Sequence, residues 1–156
     1  MNKKLAKGDI APNFELLGSD GLTYSLDSFK EKILVLYFYP KDNTSGCTTE
    51  AIEFSGLVDE FTKIGAVVVG VSPDSVKSHC NFIEKNSLKI LLLNDGDKKV
   101  SEAYGAFGEK KMYGKPVMGI IRSTFIIKDG KIAASYYNVK AGGHAKNVLE
   151  DLKTLG

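Results

Sequence analysis

Cys47 is the residue of this sequence best placed to do chemistry. It follows an apolar run that ends at Pro40 and a short polar loop, and it begins a stretch whose apolar residues recur every three or four positions. At the start of a helix, unpaired backbone N–H groups and the helix dipole favour negative charge and so increase the thiolate fraction of a cysteine. Because the thiolate is the nucleophilic form, we interpret Cys47 as reactive. The alternative is a free cysteine that serves as a small apolar core residue.

Several kinds of cysteine chemistry need partner residues that the sequence does not offer around Cys47. A C-x-x-C redox motif needs a second cysteine at position 44 or 50, and these positions hold Thr44 and Glu50. A phosphatase loop needs an arginine six positions after the cysteine, where the sequence has Glu53. The two cysteines and two histidines lack the spacing of a zinc finger. No pattern ties either histidine to Cys47, as a cysteine protease would require.

Composition and charge narrow the class of protein. The 156 residues are 43% hydrophobic and 26% charged, which is typical of a globular domain with a buried core. The net charge of +2 gives no reason to expect nucleic acid or an anionic membrane as a partner. The start lacks the apolar stretch of a signal peptide, and the longest apolar run, 33–39, is too short to span a bilayer. We therefore expect a cytoplasmic protein without a disulfide framework.

The pattern of apolar residues predicts the elements that must position Cys47. It predicts strands at 33–39, 66–72 and 90–95, helices at 47–64, 74–86, 98–106 and 143–155, and hairpins that turn at Asp20-Gly21 and Asp129-Gly130. The last helix is expected to turn four residues inward: Val148, Leu149, Leu152 and Leu155. The alternation predicts one α/β domain over 1–156, a central mixed sheet flanked by helices with an N-terminal hairpin extension. Cys47 then lies beyond the carboxyl end of a central strand, where open α/β sheets form their sites.

The loop Pro40-x-x-x-Thr44-x-x-Cys47 resembles the active-site motif of the peroxiredoxins. Longer stretches resemble their peroxiredoxin Q branch, also called bacterioferritin comigratory proteins (BCP), in the same order along the chain: GDIAPNFELLGSDG, YFYPKDNTSGCTTEA, GVSPDSVKSH, and YGAFGEKKMYG followed by GIIRSTFII. The sequence departs from the branch at Ser45, where proline is usual, and this changes the stiffness of the loop rather than a chemical group. The resemblance implies a thioredoxin-like fold and no metal, haem or flavin cofactor. It also implies reduction of hydrogen peroxide and alkyl hydroperoxides, with thioredoxin or a similar dithiol as reductant.

The resemblance also implies a role for each residue of the site. Cys47 would attack the peroxide and become a sulfenic acid. Thr44 would hydrogen-bond the thiolate or the peroxide, with helix capping as the other interpretation, and Pro40 would shield the thiolate from water. Arg122, the single arginine of the chain, would lie beside the thiolate and the peroxide. Glu50 would hold Arg122 in place. From the residues alone, Arg122 could also be a solvated side chain on the outer face of its strand.

The resemblance leaves two interpretations of Cys80. Some members of the branch carry a resolving cysteine five residues after the first, where this sequence has Ile52. Others carry one on the following helix, as Cys80 does, and we expect Cys80 to resolve Cys47. The alternative is that Val76, Cys80 and Ile83 form a buried apolar stripe and that an external thiol acts on Cys47 directly, in a one-cysteine cycle.

Other interpretations of the chain remain open at this point. A disulfide oxidoreductase or a binding protein of the same fold are the rival functions. We expect a monomer, with a dimer as the alternative. His79 and His144 are interpreted as packing or capping residues. Phe107, Met112 and Tyr113 are expected to border the peroxide entrance, unless they form only a mobile apolar loop.

Overall fold

The computed structural model describes residues 4–112 and 114–155 and contains two sheets. The strands are β1 (Glu15–Gly18), β2 (Thr23–Ser25), β3 (Ile33–Phe38), β4 (Ala66–Ser72), β5 (Leu91–Asn94), β6 (Phe107–Met112), β7 (Lys115–Ile120), β8 (Ser123–Lys128) and β9 (Lys131–Tyr136). The helices are α1 (Ser45–Gly56), α2 (Val58–Lys63), α3 (Val76–Asn86), α4 (Lys99–Ala103) and α5 (His144–Leu155), with a 3-10 turn at Leu26–Phe29. Within the described ranges, none of these helices is long and apolar enough to cross a membrane.

The main sheet has the strand order β2-β1-β5-β4-β3-β8-β9, and β6 and β7 form a separate hairpin. Strands β3, β4 and β5 run parallel, whereas the remaining pairs of the main sheet are antiparallel. One face packs on α1, α2, α3 and α5, and the other on the N-terminal segment, the 3-10 turn and the end of α4. This is the mixed α/β sheet with an N-terminal hairpin that the sequence predicts.

Strand β3 explains how the site is assembled. Its side chains alternate between the two faces, with Val35 and Tyr37 in one core cluster and Leu36 and Phe38 in the other. A strand buried on both faces must be apolar throughout, as this one is. Antiparallel pairing sets Phe38, its last residue, opposite Ser123, the first residue of β8. The loop after β3 and the residues before β8 therefore meet at the same edge of the sheet.

Two predicted elements differ from the structure. The predicted helix 47–64 is two helices, because the backbone at Leu57 leaves the helical region (φ −105°, ψ 6°) directly after Gly56, a poor helix former. The β6–β7 hairpin was not predicted, since its strands carry glycine, Pro116 and charged residues instead of an alternating apolar pattern. Phe107 packs against a core cluster, whereas Tyr113 and the side chain of Met112 lie outside the described residues.

The alternative of a buried stripe of Val76, Cys80 and Ile83 is wrong at Cys80, although Ile83 packs partly buried against a core cluster. Cys80 is exposed, and the buried residues of α3 are His79 and Phe82. The apolar pattern misplaced this face because one of its two buried members is a histidine, which hydropathy assigns to solvent. The interpretation of Cys80 as a core residue fails with it.

The last helix buries most of the face that the sequence predicts. Val148, Leu149 and Leu152 are buried in a core cluster, as expected. Leu155 is 40% exposed, against expectation, because α5 ends at this residue.

Candidate active site

Cys47 lies in the first turn of α1 with its side chain buried. The helix begins at Ser45, after Thr44, whose extended backbone (φ −88°, ψ 156°) marks the N-cap position. Cys47 is 1% exposed and belongs to the same core cluster as Ala51 and Phe54, which follow it along the inner face of α1. The thiol therefore lies where first-turn N–H groups have no partner within the helix and where bulk water is largely excluded.

Arg122 joins Cys47 to Glu50 through both of its terminal nitrogens. Its Nη2 donates to Cys47 Sγ at 3.3 Å, and its Nη1 donates to Glu50 Oε1 at 2.6 Å. Arg122 stands between β7 and β8, and its side chain is only 17% exposed, while that of Glu50 is fully buried. The structure thus brings together three residues that the sequence analysis singled out, one of them distant in the chain.

The group keeps Arg122 charged, whereas burial acts against the charge of Glu50. Burial lowers the pKa of Arg122, but the nearby Glu50 and Cys47 outweigh this effect and raise it above its ordinary value. Burial raises the pKa of Glu50 to about 7, against the opposing influence of Arg122. Arg122 is therefore a fixed cation in contact with the Cys47 sulfur, and a cation in that position favours the thiolate.

The hydroxyl of Thr44 points to the loop rather than to Cys47. Its Oγ1 donates to the carbonyl of Lys41 at 2.8 Å, and the residue is exposed. The single hydroxyl proton is thus used within the loop, which leaves Thr44 able to accept a hydrogen bond. The hydrogen bond from Thr44 to the thiolate that the resemblance implies is not formed in this structure.

Pro40 and Arg122 line an open cleft of about 660 Å³ that gives solvent access to Arg122. Its other walls come from the hairpin, the end of β7 and the segment after β9: Glu109, Lys110, Ile120, Ile121, Asn138 and Val139. A cleft of this size admits a small peroxide with an organic substituent. Pro40 lines it with an apolar ring and carries no backbone N–H that could bind water there.

Lys110 is a residue of the cleft that the sequence analysis missed. Its Nζ donates to the carbonyl of Ile120 at 2.8 Å. Burial, and then the charge of Arg122, lower the pKa of Lys110 below its ordinary value. No signal in the sequence distinguishes this lysine from the many on the surface, because its position follows from a hairpin that the apolar pattern does not reveal.

His144 packs close to the same cation from the first turn of α5. The residue is buried, and its Nε2 lies 2.8 Å from Thr124 Oγ1. Burial, followed by the charge of Arg122, lowers the pKa of His144 to about 4. The ring is therefore neutral at physiological pH, and its role as a packing residue agrees with the sequence-based interpretation.

Cys80 faces away from the core. Its Sγ lies 3.2 Å from the carbonyl of Ser19, in the turn between β1 and β2, and both cysteines are free thiols. Cys47 points inward and Cys80 outward in this reduced fold. A bond between them requires a local rearrangement.

Among the described residues, one group of side chains is close enough to share a metal ion: Asp42, Asp74 and His79, whose ligand atoms lie within 4.8 Å of one another. These atoms already engage one another and their neighbours. His79 Nδ1 lies 2.8 Å from Asp42 Oδ2, and Asp74 Oδ2 accepts from the backbone N–H of Asp42 at 2.8 Å. The group is satisfied by its own hydrogen bonds, so nothing in it calls for an ion.

Comparison with known proteins gives consistent results along the chain. Residues 7–135 match the AhpC/TSA family. A bcp protein of Helicobacter pylori is 56% identical over 151 residues, which are 96% of this chain and 99% of that one. The crystal structure of a Xylella fastidiosa PrxQ (peroxiredoxin Q) is 41% identical and superimposes with a TM-score of 0.91 over 97% of this chain and 98% of that one.

A third similar protein comes with a described activity. It is the bacterioferritin comigratory protein of Xanthomonas campestris, whose intermediate and ligand complexes give insights into its alkyl peroxide reduction activity. It is 41% identical, with a TM-score of 0.87 over 99% of this chain and 98% of that one. These similarities favour a peroxidase over the rival interpretations, a disulfide oxidoreductase or a binding protein. The chain belongs to the AhpC/TSA family and, within it, to the peroxiredoxin Q or BCP branch of the peroxiredoxins, which are thiol-dependent peroxidases.

Proposed function

We propose that this peroxiredoxin reduces hydrogen peroxide and alkyl hydroperoxides with Cys47 as the attacking residue. The observation that carries the proposal is the contact of Arg122 with Cys47 Sγ on one side and with Glu50 on the other. The Cys47 thiolate attacks one peroxide oxygen, and the O–O bond breaks. The second oxygen leaves as hydroxide or alkoxide and takes up a proton, while Cys47 becomes a sulfenic acid.

The surrounding residues each serve this step. Arg122 stabilises the thiolate and then the negative charge that develops on the leaving oxygen, and its fork of donors suits two acceptors better than lysine would. Glu50 fixes the orientation of that fork. Thr44, whose hydroxyl can still accept, takes a hydrogen bond from the peroxide O–H. Pro40 limits water at the edge of the cleft.

We propose Cys80 as the residue that resolves the sulfenic acid. Its thiol attacks the Cys47 sulfur, water leaves, and an intramolecular disulfide forms. Thioredoxin or a similar dithiol then reduces this disulfide to the two starting thiols. The exposure of Cys80 supports this role, because a resolving thiol must be free to move and its disulfide must be reachable by a reductant. We further propose that 1–156 act as one cytoplasmic domain and as a monomer, with a dimer as the alternative.

Mass spectrometry after one equivalent of peroxide tests the proposal. We expect the protein to lose two hydrogens and to carry a Cys47–Cys80 link within one chain. Cys47→Ser should abolish peroxide consumption, because a hydroxyl is hardly ionised near neutral pH. Full turnover of Cys47→Ser would overturn the assignment of the attacking residue.

A second comparison separates the two cycles. Cys80→Ser should lose thioredoxin-linked turnover but keep turnover with a small monothiol, which can attack the sulfenic acid directly. If the variant retains its thioredoxin-linked turnover, and wild type accumulates sulfenic or sulfinic acid instead of the disulfide, the enzyme uses the one-cysteine cycle.

A further inference from the structure

A buried ion pair ties the loop of Cys47 to the helix of Cys80. Asp42 lies in the loop between β3 and α1, and His79 lies on α3, directly before Cys80; both are buried. His79 Nδ1 lies 2.8 Å from Asp42 Oδ2, and His79 Nε2 lies 3.0 Å from the carbonyl oxygen of Leu93. One ring nitrogen thus faces the Asp42 carboxylate and the other a backbone carbonyl, so the imidazole is held from both sides.

The Asp42 carboxylate is held by further hydrogen bonds. Its Oδ1 accepts from the hydroxyl of Tyr39 at 2.5 Å, and its Oδ2 accepts from the hydroxyl of Ser78 at 2.8 Å. Burial raises the pKa of Asp42, but the hydrogen bonds from His79 and Tyr39 outweigh burial and lower it. Ser78 and His79 are neighbours on α3, so this helix contacts the carboxylate twice. The loop and α3 are thus joined by a fully paired buried charge.

Disulfide formation cannot leave this pair in place. Cys47 is buried in a core cluster, and the exposed Cys80 sulfur lies against the carbonyl of Ser19, so the two sulfurs do not face each other for a disulfide bond in this fold. The loop with the first turn of α1, or α3, or both, must therefore move. Asp42 is in one of these segments and His79 in the other, so a movement that carries either residue with its segment separates the two side chains.

We propose that Asp42 and His79 form a latch, which closes the fold for peroxide reduction and opens for resolution. This inference rests on the proposed role of Cys80. While the latch is closed, the loop holds Cys47 beside Arg122. A sulfenic acid that waits behind a closed latch is exposed to a second peroxide, which would oxidise it to the sulfinic acid. The strength of the pair therefore sets the ratio of disulfide formation to overoxidation.

The test is a double-mutant cycle of Asp42→Asn, His79→Gln and the double variant. Removal of one partner of a buried ion pair is strongly destabilising, so each single variant should form the Cys47–Cys80 disulfide roughly tenfold faster than wild type or more. Each should also accumulate less sulfinic acid in excess peroxide. The double variant should be no faster than the faster single variant, because only one interaction is lost. The rates are measured by acid quench and intact mass after one equivalent of hydrogen peroxide.

Asp95→Asn is the matched control, because Asp95 is a fully buried carboxylate that accepts from the backbone and hydroxyl of Ser101 at the start of α4. It should change the disulfide rate little. Hydrogen exchange of the reduced proteins gives a second readout: amides of the Cys47 loop and of α3 should lose protection in the latch variants and keep it in Asp95→Asn.

If both single variants match wild type in disulfide rate and in exchange protection, the latch is overturned. The resolving role of Cys80 would still stand. Equal acceleration by Asp95→Asn would overturn the latch too, since any loss of stability would then suffice. A wild-type protein that forms no Cys47–Cys80 disulfide would overturn the resolving role of Cys80 and the latch together.

Discussion

At the scale of single residues, Arg122 is the side chain on which the geometry of the site depends. Its two terminal nitrogens serve two different acceptors, the Cys47 sulfur and Glu50. A planar fork with a permanent charge can bridge such a pair, whereas a lysine presents one compact charge on a flexible stem. The chain contains a single arginine among 21 basic residues, and it is the residue that occupies this position.

Arg122→Met should reduce the thiolate fraction of Cys47 at neutral pH and slow peroxide attack. Loss of one preorganised donor typically costs on the order of 10²–10³ in rate. Arg122→Lys should recover only part of it, because one of the two contacts is lost. Rapid-mixing kinetics and the ultraviolet absorbance of the thiolate measure the two effects. Lys110→Met removes another cation of the same cleft and should have the smaller effect; an unchanged rate in Arg122→Met would exclude Arg122 from the reaction.

The site residues differ in how far the sequence could predict them. The position of Cys47 at the start of a helix is a local pattern, so it was predictable. The contact of Arg122 with Cys47 was expected only through the resemblance to a family, because apolar alternation does not fix the side on which Arg122 points. Asp42 and His79 lie 37 residues apart in the chain, and their pairing depends on how the loop packs on α3. No local pattern of residue types encodes that packing.

At the scale of the element, α1 must bring its backbone very close to Arg122. Gly46 is the second residue of this helix, and a Cβ atom at this position would lie 3.1 Å from Arg122 Nη2. Gly56, the last residue of the same helix, has no heavy atom within 4 Å of such a Cβ among those considered. Glycine weakens a helix by roughly 1 kcal/mol relative to alanine. Its presence at position 46 is therefore explained by the guanidinium rather than by the helix.

Gly46→Ala should lower activity without lowering stability. The added methyl group must displace the Arg122 fork by a few tenths of an ångström, and small misplacements of a catalytic group can reduce the rate roughly tenfold or more. Gly56→Ala offers the matched control, with equal or slightly greater stability and unchanged activity. Urea unfolding and peroxide attack rates measure both. Equal activity of the two variants would show that Arg122 adjusts without cost.

Strands that are buried on both faces could be predicted from the sequence, because burial requires them to be apolar. The strands β3, β4 and β5 are apolar because both faces of the sheet are covered, and the sequence shows them as continuous runs. The β6–β7 hairpin has exposed residues such as Val117 and Met118 and carries glycine and charge, so no periodic signal marks it. The inner face of α3 was misassigned because His79 is buried through its ion pair. A hydropathy pattern assigns such residues to the surface, because it does not include the partner that allows a polar side chain to be buried.

At the scale of the whole molecule, the fold surrounds Arg122 with buried titratable groups from different elements. Glu50 comes from α1 and His144 from the start of α5, and burial perturbs both. Burial favours the neutral form in each case, which is the protonated form of Glu50 and the deprotonated form of His144. The two groups therefore affect the pH dependence of stability in opposite directions.

Glu50 and His144 each make the stability of the fold depend on pH, with opposite signs. The pKa of Glu50 is about 7 in the fold against 4.5 ordinarily, so the fold binds the extra proton and loses stability as pH rises through this interval. The pKa of His144 is about 4 against 6.5 ordinarily, so the unfolded chain binds the extra proton and stability falls as pH falls from 6.5 to 4. At 1.36 kcal/mol per pH unit, each effect amounts to about 3 kcal/mol, and between pH 4.5 and 6.5 they nearly cancel.

Removal of either group should reveal the effect of the other. In Glu50→Gln, the free energy of unfolding should rise by up to about 3 kcal/mol relative to wild type as pH increases from 4.5 to 6.5, because His144 acts alone. In His144→Gln, it should fall by a similar amount over the same interval. The double variant should return to the slope of wild type, since all other titrating groups are common to the four proteins. Urea unfolding at several pH values measures these slopes, and changes of slope of the same sign, relative to wild type, in the two single variants would contradict the opposition of Glu50 and His144.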